Sequence, residues 1–337
     1  MARLNVEGRV GLAALDAYWP ARVVTNRDLI AEFGLPVTES WIRGRIGVEE
    51  RRWAAADQAA SDLAFEAASR ILNRAGIRAH ELDRLIVSTT SGDWIMPSTA
   101  CAVQDRLEPG CTYPAYDVSA ACSGFLYAIE AASRALMTGE DRVLVLASEI
   151  RSRQINPREG RILPIYGDAA GGALLVSREP SRTEGLQAMV LYADGAGTRN
   201  VTIPGGGSRL PLTPERLASG RQYMEMKDGR EIFERATETM VRCAREVMEM
   251  AGWRLDDVDY LVPHQANLGM IRAIRDELGV PPDRCAEFIQ RTGNCSSATI
   301  PLSLKLASDA GRIKKGDRLV LTAAGGGYTA GAVALVL

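Results

Sequence analysis

The sequence repeats itself at a fixed offset, and this constrains the fold more than any other feature. AGIRAHELDRLIV at 75–87 returns as AGWRLDDVDYLVP at 251–263, and DRVLVL from Asp141 returns as DRLVLT from Asp317, both 176 positions on. Two separate matches at one offset indicate a duplicated unit. Each copy has the same grammar. A helical pattern (61–75; 237–251) stops near Gly76 or Gly252, and an apolar strand follows (84–89; 259–263). A second helix (97–107; 267–278), a small-residue turn and a third helix (123–138; 297–311) come next. A strand (142–147; 318–323), a glycine-rich turn and a last strand (171–177; 330–337) close the unit. Continuous apolar strands alternating with helices predict an α/β chain with sheets covered on both faces. The halves are residues 1–178 and 179–337, and 204–221 lacks periodicity and reads as an excursion loop.

The remaining composition excludes whole classes. Forty basic against forty-two acidic residues give a net charge of −2, so nothing calls for nucleic acid. No apolar run reaches the roughly 20 residues that span a bilayer, and the first 20 residues lack a signal-peptide pattern. Six cysteines (Cys101, Cys111, Cys122, Cys243, Cys285, Cys295) show no CxxC spacing and meet only two histidines, a poor metal set. A reducing cytoplasmic setting, with no membrane and no metal, is expected.

Four positions carry chemistry. Cys122, in DVSAACSGF, falls where a strand-like stretch (Tyr116–Ser119) runs into the third helix. Unpaired N–H groups at a helix start favour a thiolate, the nucleophilic form of cysteine. His264 follows the strand in YLVPHQAN, and the offset maps it onto Ser88. Asn294, in RTGNCSSATIP, precedes the third helix of the second half, where asparagine also serves as a cap. Gly325, Gly326 and Gly327 follow a strand and can aim backbone N–H groups at an oxyanion. Cys295 lacks small neighbours on both sides, and His80 sits in a polar turn. Strand ends and helix starts of two related halves converge, so cysteine, imidazole, amide and glycine turn can share one site.

DVSAACSGF, VPHQAN, TGNCSSATIP and AAGGG together resemble the beta-ketoacyl-acyl carrier protein synthase III family of thiolase-fold condensing enzymes, and the likeness covers essentially the whole chain. The resemblance implies a duplicated five-layer α-β-α-β-α fold, a homodimer, and no cofactor beyond coenzyme A and acyl carrier protein thioesters as substrates. It implies Cys122 as acyl acceptor, with its own N–H and that of Gly326 as oxyanion hole. His264 and Asn294 then activate malonyl-acyl carrier protein for decarboxylative condensation. Trp41 and Arg45 match positions near the coenzyme A adenine and phosphates.

Departures from the family pattern bear on the substrate. Gly269 stands where an arginine is common after HQANL, which weakens the usual carrier-protein docking point. Ala324 replaces a common phenylalanine before the glycine turn, and Met96 another in the dimer-contact segment. Arg151 and Arg153 occupy acyl-pocket positions that are apolar elsewhere; they either pair with a substrate carboxylate or face water. SRQINP, MKDGREIF and LTAAG resemble the 3-oxopimeloyl-acyl carrier protein synthases of biotin synthesis, which use a glutaryl primer, although Gln154 replaces that subgroup's usual second arginine. Fatty-acid initiation, or acyl transfer without decarboxylation in secondary metabolism, are the competing readings.

Overall fold

The repeat is built twice in the computed structural model, which describes residues 1–337. The chain opens with β1 (Ala2–Asn5) and β2 (Val10–Tyr18), then an excursion of β3 (Arg22–Thr25), α1 (Asn26–Phe33), α2 (Glu39–Arg45) and β4 (Glu50–Trp53). The first repeat is α3 (Ala60–Ala75), β5 (Arg84–Ser88), α4 (Thr99–Leu107), β6 (Ala115–Val118), α5 (Gly124–Met137), β7 (Arg142–Ile150) and β8 (Asp168–Ser177). β9 (Gly185–Tyr192) leads to β10 (Val201–Thr202), α6 (Pro214–Ala218) and β11 (Glu225–Met226), within and around the predicted excursion loop. The second repeat is α7 (Gly229–Ala251), β12 (Tyr260–Pro263), α8 (Leu268–Leu278), α9 (Ile289–Thr292), α10 (Thr299–Asp309), β13 (Arg318–Gly325) and β14 (Thr329–Val336).

The two sheets share four strands of one topology and differ in the fifth, β6 beside β5 in the first and β1 beside β9 in the second. One runs β2-β8-β7-β5-β6 and the other β1-β9-β14-β13-β12. In each, the paired core strands are parallel (β5 with β7, β12 with β13) and the next two pairings are antiparallel. α5 and α10 lie between the sheets, while α3 and α4 cover one outer face and α7 and α8 the other. This is the expected α-β-α-β-α stack. α5 buries Phe125, Leu126, Ile129, Ala132 and Leu136 and also Ala128 and Ser133, because a helix sandwiched between sheets has little solvent face. Its second face is made of small residues, so periodicity shows only the first.

Two departures matter for the site. β1 pairs antiparallel with β9, so the first residues of the chain complete the second sheet. α7 starts two turns before the predicted 237, capped by the Asp228 side chain, which accepts from the Glu231 N–H. Its charged first turns hide a face of Ile232, Phe233 and Ala236 that lines a cavity. The N-terminal excursion is tied in by Arg51, a wholly buried side chain whose guanidinium donates to Val24 O (3.1 Å), Asn26 Oδ1 (2.7 Å) and Pro164 O (2.8 Å). This anchors the loop that reaches Asn294. No helix is long and apolar enough to cross a membrane.

Candidate active site

Two tight turns, one from each repeat, meet between the sheets. Cys122 lies in the turn Ala121–Ser123 before α5, and its counterpart turn is Ser296–Ala298 before α10. Ala121 (φ 47°) and Ser296 (φ 50°) both hold a left-handed backbone, a strained state for residues other than glycine. Cys122 therefore corresponds to Ser297, and Asn294 sits three residues ahead of that counterpart. Gly325, at the end of β13, abuts the Cys122 turn so closely that a Cβ there would lie 2.6 Å from the Cys122 nitrogen. Only glycine allows that approach.

Cys122 lines two cavities. One, of about 160 Å³, also contains His264, Asn294, Phe233, Asn267 and Ala324. The other, of about 410 Å³, contains Arg151 with Thr90, Ser119, Thr198, Thr202 and Thr329. Gly326 borders both. The thiol is not the easily ionised group expected from its helix start. Burial pushes its pKa above the ordinary cysteine value, opposed by the Arg151 charge and by the Ser296 hydroxyl 3.6 Å from Sγ.

His264 continues from β12, its N–H bonded to Thr322 O (2.8 Å). Gln265 fixes the turn: its amide donates to Pro263 O and Ala286 O and its carbonyl accepts from Phe288 N and Ile289 N. The imidazole is 2% exposed, and its Nδ1 lies 2.6 Å from Thr299 Oγ1. Burial first, then the Arg151 charge, push its pKa down to about 3, so it is neutral at physiological pH. Asn294 bridges to Tyr166, with its N–H on Ile165 O (2.8 Å) and its carbonyl accepting from Gly167 N (3.2 Å). Its Oδ1 accepts from Ser296 N (2.8 Å), which leaves the NH2 group as the side chain's donor toward the cavity. This is a local turn two residues on and not the helix cap that the sequence allowed: α10 begins after Ala298 and has no side-chain cap.

Arg151 is 4% exposed and turns inward. Its Nη1 donates to Gln154 Oε1 (2.6 Å), and its Nη2 donates to Ser296 Oγ (2.8 Å) and to the Thr90 hydroxyl. Its Nε is 3.5 Å from the wholly buried Glu149, which in turn accepts from Ser91 Oγ (2.7 Å) and Ser297 Oγ (3.1 Å). Arg153, two residues on, points the other way and donates to Ala55 O and Ala56 O, so it lines neither cavity, contrary to its expected place in the acyl pocket. Met96 is 83% exposed and Ala324 lines the His264 cavity, so neither borders the Arg151 cavity. Trp41 and Arg45 line neither cavity; they lie on α2, joined to the start of α8 through Leu268 N and Ile46 O (3.0 Å). His80 is a surface residue bonded to Glu108, and Cys295 is buried. Sequence reading missed Thr90, Glu149, Ser296 and Thr299. Glu149, a charge at the end of an apolar strand, was the visible signal.

A cysteine flanked by an imidazole and an amide, on a duplicated thiolase-like fold, defines an acyl-transferring condensing enzyme. The chain belongs to the 3-oxoacyl-[acyl-carrier-protein] synthase III family. Family models described as 3-oxoacyl-[acyl-carrier-protein (ACP)] synthase III and its C-terminal part match residues 116–195 and 248–337. The chain is 41% identical over 327 residues, 96% of each chain, to a beta-ketoacyl-[acyl-carrier-protein] synthase III of Streptomyces coelicolor. It is 40% identical to a 3-oxopimeloyl-[acyl-carrier-protein] synthase of Rhodothermus marinus, over 96% of this chain and 93% of that one. A solved synthase III from Thermus thermophilus superposes with a TM-score of 0.88 at 37% identity, covering 97% of this chain and 99% of the other.

Proposed function

We propose that the protein condenses an acyl-CoA primer with malonyl-acyl carrier protein, with loss of CO2, through an acyl-Cys122 intermediate. The observation that carries this is the shared cavity of Cys122, His264 and Asn294, with a second cavity, also lined by Cys122, that can hold the acyl chain. Cys122 sulfur attacks the thioester carbonyl, and the tetrahedral oxygen is held by the N–H groups of Cys122 and Gly326. Coenzyme A leaves, taking up the thiol proton. Malonyl thioester then replaces it, its carbonyl oxygen facing His264 and Asn294. The bond to the carboxylate breaks, its electrons form an enolate, and the enolate carbon attacks the acyl-enzyme. Collapse releases the 3-oxoacyl thioester, and Cys122 recovers a proton. Trp41 and Arg45, beside the start of α8, are the proposed rim contacts for coenzyme A. Acyl transfer without decarboxylation would give a product lacking the two added carbons.

Arg151 favours a specific primer. A buried guanidinium within a cavity lined by threonines suits an acyl chain ending in a carboxylate of glutaryl type, not an alkyl end. The 3-oxopimeloyl synthase relative is consistent with this. Intact-mass measurement after incubation with acetyl-, butyryl- and glutaryl-CoA tests it. Glutaryl transfer should be fastest, and Arg151→Met should slow it tenfold or more relative to butyryl transfer. Faster acetyl than glutaryl transfer by the wild type would assign the enzyme to ordinary chain initiation.

Two features support a homodimer. β6 is an edge strand open on its outer side, and beside the same sheet Trp94, Ile95 and Met96 are 60%, 94% and 83% exposed. An open edge with an apolar tip suits an isologous contact between two copies. Sedimentation should give a dimer, reduced to monomer by Ile95→Asp; a monomeric wild type would refute it.

A further inference from the structure

The neutral His264 imidazole carries one ring proton, and which nitrogen holds it decides what the ring can do. A bare Nε2 facing the cavity is a base. An Nε2–H is a hydrogen-bond donor, matched to the Asn294 NH2 group beside it. The sole side chain bonded to the ring is Thr299, 1% exposed, at the first position of α10. Its hydroxyl has one hydrogen and two acceptors in reach: Ser296 O at 3.0 Å and His264 Nδ1 at 2.6 Å. Ser296 O already accepts the backbone N–H of Thr299 itself. Two arrangements use these contacts: the hydroxyl donates to a bare Nδ1, or it donates to Ser296 O and accepts an Nδ1–H. Ser296 O already has a donor, and the shorter contact is the one to the ring, which favours the first.

We propose that Thr299 is a positioning residue that donates its hydroxyl hydrogen to His264 Nδ1 and so holds the ring in the Nε2–H form. Two donors, Nε2–H and the Asn294 amide, then converge on one oxygen. With the tautomer reversed, the ring would present a lone pair to that oxygen and the developing negative charge would lose one of its two partners. The position works because Thr299 is fixed twice over, by the left-handed Ser296 turn before it and by the buried helix it starts.

The catalytic consequence rests on the functional reading above; the tautomer does not. The chain has only two histidines. Labelling with 15N-histidine and recording two-bond proton–nitrogen correlations therefore reads His264 directly, with His80→Gln used to assign the exposed ring. The wild type should show a protonated Nε2 and a bare Nδ1, unchanged from pH 8 to pH 5. Thr299→Val, which keeps the shape and removes the hydroxyl, should show a mixture of tautomers. In the same variant, malonyl decarboxylation by the acyl-enzyme should fall tenfold or more while acylation of Cys122 stays within twofold. Thr299→Ser should restore both tautomer and rate. A wild-type ring protonated at Nδ1 overturns the proposal, even if Thr299→Val does not fold. So does a Thr299→Val protein with an unchanged tautomer, or one that loses acylation and decarboxylation in parallel. A wild-type Nε2–H tautomer without decarboxylation of any malonyl thioester would instead refute the functional reading and leave the tautomer assignment standing.

Discussion

Cys122→Ala protein should gain no mass when incubated with any acyl-CoA, whereas the wild type should gain one acyl group per chain. The reason is the absence of a substitute. Cys122 borders both cavities, and no other cysteine borders either. Burial pushes Cys243 to about 11 and Cys285 to about 12, and holds Cys295 well above the ordinary thiol range. Cys101 is exposed but lies on α4, bonded to Ser98 and far in sequence from any oxyanion-holding turn. Condensation should fall by on the order of 10³-fold or more, the scale of losing a covalent nucleophile. Full condensing activity in this variant would remove the assignment.

His264→Ala separates the two half-reactions. The variant should still form the acyl-enzyme, because the proposed acylation step relies on the Cys122 and Gly326 N–H groups and not on the imidazole. It should release CO2 from malonyl thioester about 10²–10³-fold more slowly, the usual cost of removing one donor to a developing oxyanion. The imidazole is too poor a base to be charged near neutrality, with a pKa of about 3, so the loss is of a hydrogen bond and not of a positive charge. Asn294→Ala should show the same split. Radiolabelled CO2 release beside intact-mass acylation reads both steps, and a His264→Ala protein that fails to acylate would place the ring in the first step instead.

The duplication made most of the fold legible. A repeat at constant offset fixes helix and strand order in both halves at once, and side chains at corresponding element ends of two related halves fall near one another. What stayed hidden depends on long-range pairing or on irregular backbone. Nothing local in ARLN indicates that β1 will join the sheet of the other repeat. Arg151 and Arg153 look alike in sequence, and the turn that starts at Ser152 decides which one is buried. The early start of α7 is masked by charges on its outer side. A helix start favours an ionised thiol at Cys122, but burial outweighs the helix end. Ser296 reads as one small residue in a run of them, and its left-handed backbone is what aims its hydroxyl at the Cys122 sulfur.

The place of β1 has a consequence for how the molecule is assembled. Residues 2–5 lie against residues 188–191, so this pairing closes over about 185 intervening residues and is among the most non-local contacts in the fold. A cut between the repeats would separate those residues from the partner strand they complete. The two copies are thus laced together at an edge remote from the chemistry: parted, the first would carry a strand that belongs to its twin, and the second would lack it.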